Sequence, residues 1–283
     1  RELRWVVSQY SGGLQRLIFQ ASDNQLPPNV SNVAVDVQVL GDVYHSSLVI
    51  ADVTGAGALD VICGARAADI GGVTGVGAVY VWAGTTTPAG APTARLQVPG
   101  AQTGDLLSEL GLTGSQGIQC VDVTGDGVPD VVVGAISTDL GVIQDAGAIY
   151  VWSGGPGLTG TVSPTARLAC SPAYLGDELG GWSGQGIVCA DVTGDGIPDV
   201  VAGRLFSLHF WRGGPGLAGN LAPTATLTPS SWGIGSTSGQ SIELADVTGD
   251  GVLDVIAGDS EWGTGGRLYV YQGGSGFGIS AGA

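Results

Sequence analysis

The chain of 283 residues contains no lysine; its nine basic residues are all arginine. That absence rules out a phosphate-binding P-loop lysine, a Schiff-base lysine and a Ser-Lys dyad. Positive charge is scarce altogether, since 25 Asp and Glu leave a formal net charge of −16. A duplex-binding surface needs clustered basic residues that release counterions, so nucleic acid is not an expected partner. No apolar run approaches the ~18 residues that a membrane span requires. Only His45 and His209 could serve as near-neutral bases, and neither a GxSxG nor an HExxH pattern accompanies them. His45 stands beside Ser46 and Ser47, which is weak ground for a dyad, and His209 falls in an aromatic strand where a packed role is expected. The reading is therefore non-enzymatic. Cys63, Cys120, Cys170 and Cys189 show no CxxC spacing, which argues against a zinc knuckle or redox pair. Burial as small apolar side chains is expected of them, with disulfides as the alternative. Methionine is also absent and Arg1 stands first, so an initiator, and with it a signal peptide, is expected to have been removed or left out.

Glycine, by contrast, is abundant: 52 residues with no Gly-X-Y period, in a chain that is 43% hydrophobic. Glycines scattered among Val, Ile, Leu, Tyr and Trp predict short strands joined by tight turns. Four segments align: ADVTGAGALDVICG from Ala51, VDVTGDGVPDVVVG from Val121, ADVTGDGIPDVVAG from Ala190 and ADVTGDGVLDVIAG from Ala245. Repeats of this size mark one supersecondary unit that needs its neighbours to complete a core. Each unit predicts four strands. One precedes the acidic loop and one follows it; a third is aromatic (AVYVW, AIYVW, LHFW, LYVY), and a fourth begins at Pro92, Pro164 or Pro223. Four antiparallel strands per repeat predict an all-β chain, a β-propeller of four four-stranded blades.

The last repeat lacks its fourth strand. LQRLIFQ, from Leu14, shares the Arg-Leu core of the other fourth strands and is expected to supply it. Residues 1–36 are thus read as an N-terminal strand segment and 37–283 as the four-repeat propeller. Such a strand would close the ring, or enter a neighbouring molecule and build a polymer.

The chemistry is expected in the loop D-V-T-G-D-G-x-x-D. The second repeat offers Asp122, Thr124, Asp126, the Val128 carbonyl and Asp130. The third offers Asp191, Thr193, Asp195, Ile197 and Asp199, and the fourth Asp246, Thr248, Asp250, Val252 and Asp254. Oxygen ligands at alternating positions, with a glycine permitting the turn, suit Ca²⁺ better than Mg²⁺, and zinc lacks its His or Cys. Two unit charges ~4 Å apart cost about 4 kcal/mol at an effective dielectric of 20, so three carboxylates per loop call for a cation. The first repeat keeps Asp52, Thr54 and Asp60 but has Ala56 in place of an Asp, and is a weaker candidate.

These loops, the glycine-containing strand before them (GSQGIQC, GQGIVC, GQSIEL), the Gly-Ala after them and the YVWxG strand resemble the FG-GAP/VCBS repeats of the integrin α-subunit propeller and its microbial relatives. The resemblance runs from about Val37 to Gly274. It implies structural calcium on a propeller rim, one ion per intact loop. The chain departs from that family in showing four repeats where seven are usual. It also has Arg66, Ile136 and Leu205 where a proline might follow the Gly-Ala.

The function expected is an extracellular, calcium-stabilised module for structure, adhesion or self-assembly, as a homo-oligomer or polymer with a glycan or protein ligand. The alternative is a lectin that binds glycans between blades. Trp182, Trp232 and Trp262 then offer stacking faces, unless they plug blade interfaces. Asn29-Val30-Ser31 would be a glycosylation site in a eukaryotic source.

Overall fold

Apolar residues on alternating positions, cut by glycine turns, fold into short strands throughout. The structure, a computed structural model, describes residues 2–7, 15–22, 30–37, 47–84, 91–108, 117–180, 186–204, 207–227, 241–259 and 267–277. Those residues are all-β, and none of their segments is a helix long and apolar enough to cross a membrane. His45, Trp182, Trp232, Trp262 and Asn29 lie outside them.

The N-terminal segment holds β1 (Glu2–Val7), β2 (Gln15–Ser22) and β3 (Val30–Val37), an antiparallel sheet of their own in the order β1-β2-β3. This corrects the expectation that LQRLIFQ completes the last repeat. Both edges of β2 are taken, from Glu2↔Ser22 on one side to Gln15↔Val37 on the other. A strand hydrogen-bonded on both sides has no edge left to lend.

The first repeat forms β4 (Leu48–Ala51), β5 (Asp60–Ala65), β6 (Ala78–Trp82) and β7 (Ala94–Leu96). The second forms β8 (Ile118–Val121), β9 (Asp130–Ala135), β10 (Ala148–Trp152), β11 (Gly160–Val162) and β12 (Ala166–Leu168). The third forms β13 (Ile187–Ala190), β14 (Asp199–Arg204), β15 (Ser207–Trp211), β16 (Gly219–Leu221) and β17 (Ala225–Leu227). The fourth forms β18 (Ser241–Ala245), β19 (Asp254–Asp259) and β20 (Arg267–Tyr271). Every predicted strand of the four repeats is present, in antiparallel meanders.

The second and third strands of each of the first two sheets are buried on both faces, which is why DVVVGA and AIYVW read as continuous apolar runs. Their alternation sorts residues between neighbours. Val131, Val133 and Trp152 face the first sheet and join Ile62, Val79 and Leu96. Val132, Ile149 and Val151 turn the other way, onto Val200, Ala202 and Trp211 of the third. The third and fourth meet through Phe210, Leu227, Val255 and Phe277, with the two phenylalanine rings 5.0 Å apart edge to face. Packing follows chain order through the inner strands β4, β8, β13 and β18. Among the described residues no strand of the first sheet packs extensively on one of the fourth.

The segments between the third strand and the strand expected from Pro164 or Pro223 hold β11 and β16. Each leaves its own repeat and pairs in parallel with the outer strand of the preceding sheet. Gly160–Val162 lies along Ala94–Leu96, and Gly219–Leu221 along Ala166–Leu168. The indole N–H of Trp152 donates to the Val162 carbonyl (3.0 Å), and that of Trp211 to the Leu221 carbonyl (3.3 Å). The second and third repeats thus each cover the outer edge of the sheet before them.

Candidate metal centre

The four acidic loops fold alike because their contacts are local. Asp122 accepts the N–H groups of Gly125 (2.7 Å), Asp126 (3.0 Å) and Gly127 (2.8 Å), drawing the turn around its carboxylate. Asp191 and Asp246 do the same for Gly194, Asp195 and Gly196, and for Gly249, Asp250 and Gly251. Such a turn needs left-handed residues, and Gly125 (φ 75°) and Gly127 (φ 90°) supply them.

The closing aspartate is a clamp under the loop. Asp130 is fully buried; it accepts the N–H of Thr124 (2.8 Å), the Thr124 hydroxyl (3.3 Å) and the N–H of Gly154 (2.9 Å). Asp60, Asp199 and Asp254 are equally buried and bind the N–H of Gly84, Gly213 and Gly273. Burial raises the Asp130 and Asp199 carboxyls above the usual carboxylate range. Asp254 is held below it, chiefly by the Gly273 N–H.

The middle aspartates Asp126, Asp195 and Asp250 each accept the N–H two residues on, from Val128 (2.9 Å), Ile197 (3.0 Å) and Val252 (3.0 Å). They differ in what reaches the other oxygen. Asp195 Oδ2 receives Arg212 through Nε (3.1 Å) and Nη2 (2.8 Å), and Asp250 Oδ2 receives Gln272 Nε2 (2.9 Å). Arg212 and Gln272 were not picked out from the sequence. The signal was there, in the variable residue of the YVWxG strand: Ala83, Ser153, Arg212 and Gln272.

The loops also meet one another. A Cβ placed on Gly55 would lie 3.2 Å from Val128, one on Gly125 2.8 Å from Ile197, and one on Gly194 3.1 Å from Val252. The seventh residue of each loop therefore rests on the fourth residue of the loop before. Backbone bonds tie the same neighbours, with Gly155, Gly214 and Gly274 donating to the carbonyls of Val53 (2.7 Å), Val123 (2.8 Å) and Val192 (2.8 Å). All four loops are set side by side along one rim.

As a donor set the loops fit a hard cation, being carboxylate, hydroxyl and carbonyl oxygen throughout. Among the described residues no three His, Cys, Asp or Glu side chains converge as a metal cluster. The buried clamp points to the backbone, the middle aspartates are exposed, and the first aspartates are half-buried in the first three loops and exposed in the fourth. Asp52 draws in the N–H of Ala56 (3.0 Å) and Gly57 (2.7 Å), and Thr54 meets Asp60 as elsewhere, so the first loop keeps its shape without a middle carboxylate. These amides offset part of the repulsion among the loop carboxylates.

The remaining sequence candidates have structural places. All four cysteines are free thiols, and burial pushes Cys63 and Cys120 up to about 12. His209 is 3% exposed, with Ser207 Oγ at 2.9 Å from Nε2 and Thr226 Oγ1 at 3.1 Å from Nδ1. Burial, and then the Arg204 charge, lower its pKa to about 4.

No protein-family model matches the chain. It is similar to the phosphatidylinositol-glycan-specific phospholipase D of Bos taurus, with 36% identity over 90 residues, 32% of this chain and 10% of that protein. The Homo sapiens enzyme of the same name is 37% identical over 87 residues, 31% of this chain and 10% of its own length. The chain thus matches about a tenth of the length of these curated relatives.

Proposed function

We propose that this chain is a calcium-stabilised propeller of the FG-GAP/VCBS kind that serves outside the cell in structure, adhesion or self-assembly. The four sheets are its blades. The observation that carries the reading is the row of acidic loops, each seated on the next, with an exposed middle aspartate in each of the three intact ones. A cation held there would tie a loop to the strands on either side of it. Calcium at millimolar concentration is an extracellular resource, and a hundredfold excess over a site's Kd adds about 2.7 kcal/mol.

Assembly is supported by the fourth sheet. Its outer strand β20 has no fourth strand beside it among the described residues, and Leu268 and Val270 are 76% and 44% exposed. An open, apolar edge invites pairing with another chain. His209 is buried between the Ser207 and Thr226 hydroxyls, which supports reading it as a packing residue. The relatives' phospholipase activity belongs to proteins ten times longer than the matched stretch and is not carried over.

The decisive experiment combines Asp126→Ala, Asp195→Ala and Asp250→Ala. The unaltered chain should melt several degrees higher in millimolar calcium than in chelator, and the triple variant should lose that gap. Equal melting of the two proteins in calcium would refute structural binding. Sedimentation over a hundredfold concentration range tests assembly, and a strictly monomeric species would end that part of the proposal.

A further inference from the structure

The three acidic loops are not equivalent, and the difference is a positive charge. Arg212 follows the third strand of its sheet, where the other repeats have Ala83, Ser153 and Gln272. Its backbone is held as those of Ala83 and Ser153 are. The Arg212 N–H donates to Thr224 Oγ1 (3.2 Å), just as Ala83 donates to Thr93 (3.0 Å) and Ser153 to Thr165 (3.1 Å). The scaffold therefore delivers whatever side chain stands here to the same spot on the rim. In the third repeat that side chain is a guanidinium, and two of its N–H groups converge on the Oδ2 of Asp195, the middle aspartate of the loop.

We propose that Arg212 is a built-in counter-cation of the third loop, which makes that loop the weakest of the three for calcium and the one whose fold least needs it. The inference rests on the calcium reading above. Its geometry leaves little room for compromise. Asp195 Oδ1 already accepts the Ile197 N–H, and Oδ2 carries both guanidinium bonds, so a cation that took Oδ2 would have to displace Arg212. The displaced charge stays tethered a few ångströms away and repels the ion. A second difference lies inside the same loop. The Thr193 hydroxyl donates to Asp191 (3.4 Å), whereas Thr124 and Thr248 turn theirs to the clamps Asp130 and Asp254. The ion pair is partly exposed, at 50% and 26%, so its effect is moderated by solvent and salt.

The test uses the full chain stripped with chelator and titrated calorimetrically with calcium alone. In a background of Asp126→Ala and Asp250→Ala, the third loop is the one acidic loop left intact. Adding Arg212→Ser or Arg212→Gln to that background should tighten calcium about tenfold, while Arg212→Lys, which keeps the charge, should leave it weak. Conversely, Ser153→Arg in the otherwise unaltered chain should weaken one site by about the same factor. Cooperative melting of each variant verifies that it folds. Unchanged affinity on adding Arg212→Gln to that background, where the unaltered chain does take up calcium, would overturn this inference and leave the calcium reading standing. No calcium uptake by any variant would overturn both.

Discussion

The second and fourth sheets carry nearly the same sequence and live in different surroundings. Their loops are superimposable in their bonding: Asp122 gathers three amides at 2.7, 3.0 and 2.8 Å, and Asp246 gathers its three at 2.6, 3.1 and 2.9 Å. Their third strands diverge. Ile149 and Val151 are fully buried against the third sheet, while their counterparts Leu268 and Val270 are exposed. A loop closed by hydrogen bonds within a few residues forms wherever its sequence occurs. A sheet face is apolar in expectation of a neighbour, and burial follows only when that neighbour is present.

That comparison can be broken most sharply in the core. Ile149→Ala should cost about 4 kcal/mol in chemical denaturation, and Leu268→Ala less than about 0.5. Comparable losses would mean that the fourth sheet is covered in solution, by a second copy or by another part of the chain. The third sheet adds a contrast in pH, since it alone has His209 where the others have Tyr80, Tyr150 and Tyr269. Its folded pKa of about 4 lies below the ordinary 6.5, so the fold favours neutral imidazole. The stability it contributes is present above pH 6.5 and is lost as pH falls towards 4, to at most about 3 kcal/mol. Denaturation curves for the unaltered chain and His209→Gln should therefore converge as the medium is acidified; parallel curves would contradict a buried, neutral histidine.

A smaller effect sharpens the likeness of the loops. Asp130→Ala and Asp254→Ala should each cost about 2 kcal/mol in chelator, because each strands the amides its carboxylate clamps. Asp126→Ala under the same conditions should change stability by less than about 0.5 kcal/mol, and show its effect only with calcium. A large loss for Asp126→Ala in chelator would make it a structural residue and remove the second loop from the metal proposal.

Much of this was legible in one dimension. Asp-Gly turns flanked by apolar alternation announced the strands, and β7, β12 and β17 fall inside the segments expected from Pro92, Pro164 and Pro223. The short strands β11 and β16 were not, because three residues such as Gly160-Thr161-Val162 show no period and their partner lies in the preceding repeat. LQRLIFQ misled for the opposite reason. Its Arg-Leu core matched the outer strands, but strand character says nothing about which edge a strand will join, and its nearest partners in the chain claimed it. Arg212 was passed over since an arginine after an aromatic strand has no meaning until Asp195 is known to stand beside it, 17 residues away.

Sequence alone determined the main strands of each repeat, the acidic loops and the oxygen-rich chemistry, because each is written in the pattern of a short stretch of chain. Tertiary structure alone decided which strand closes which edge, which apolar face is covered, and which aspartate meets a guanidinium instead of solvent. Those outcomes depend on groups that approach only after the chain has folded, where burial and charge are set by neighbours in space.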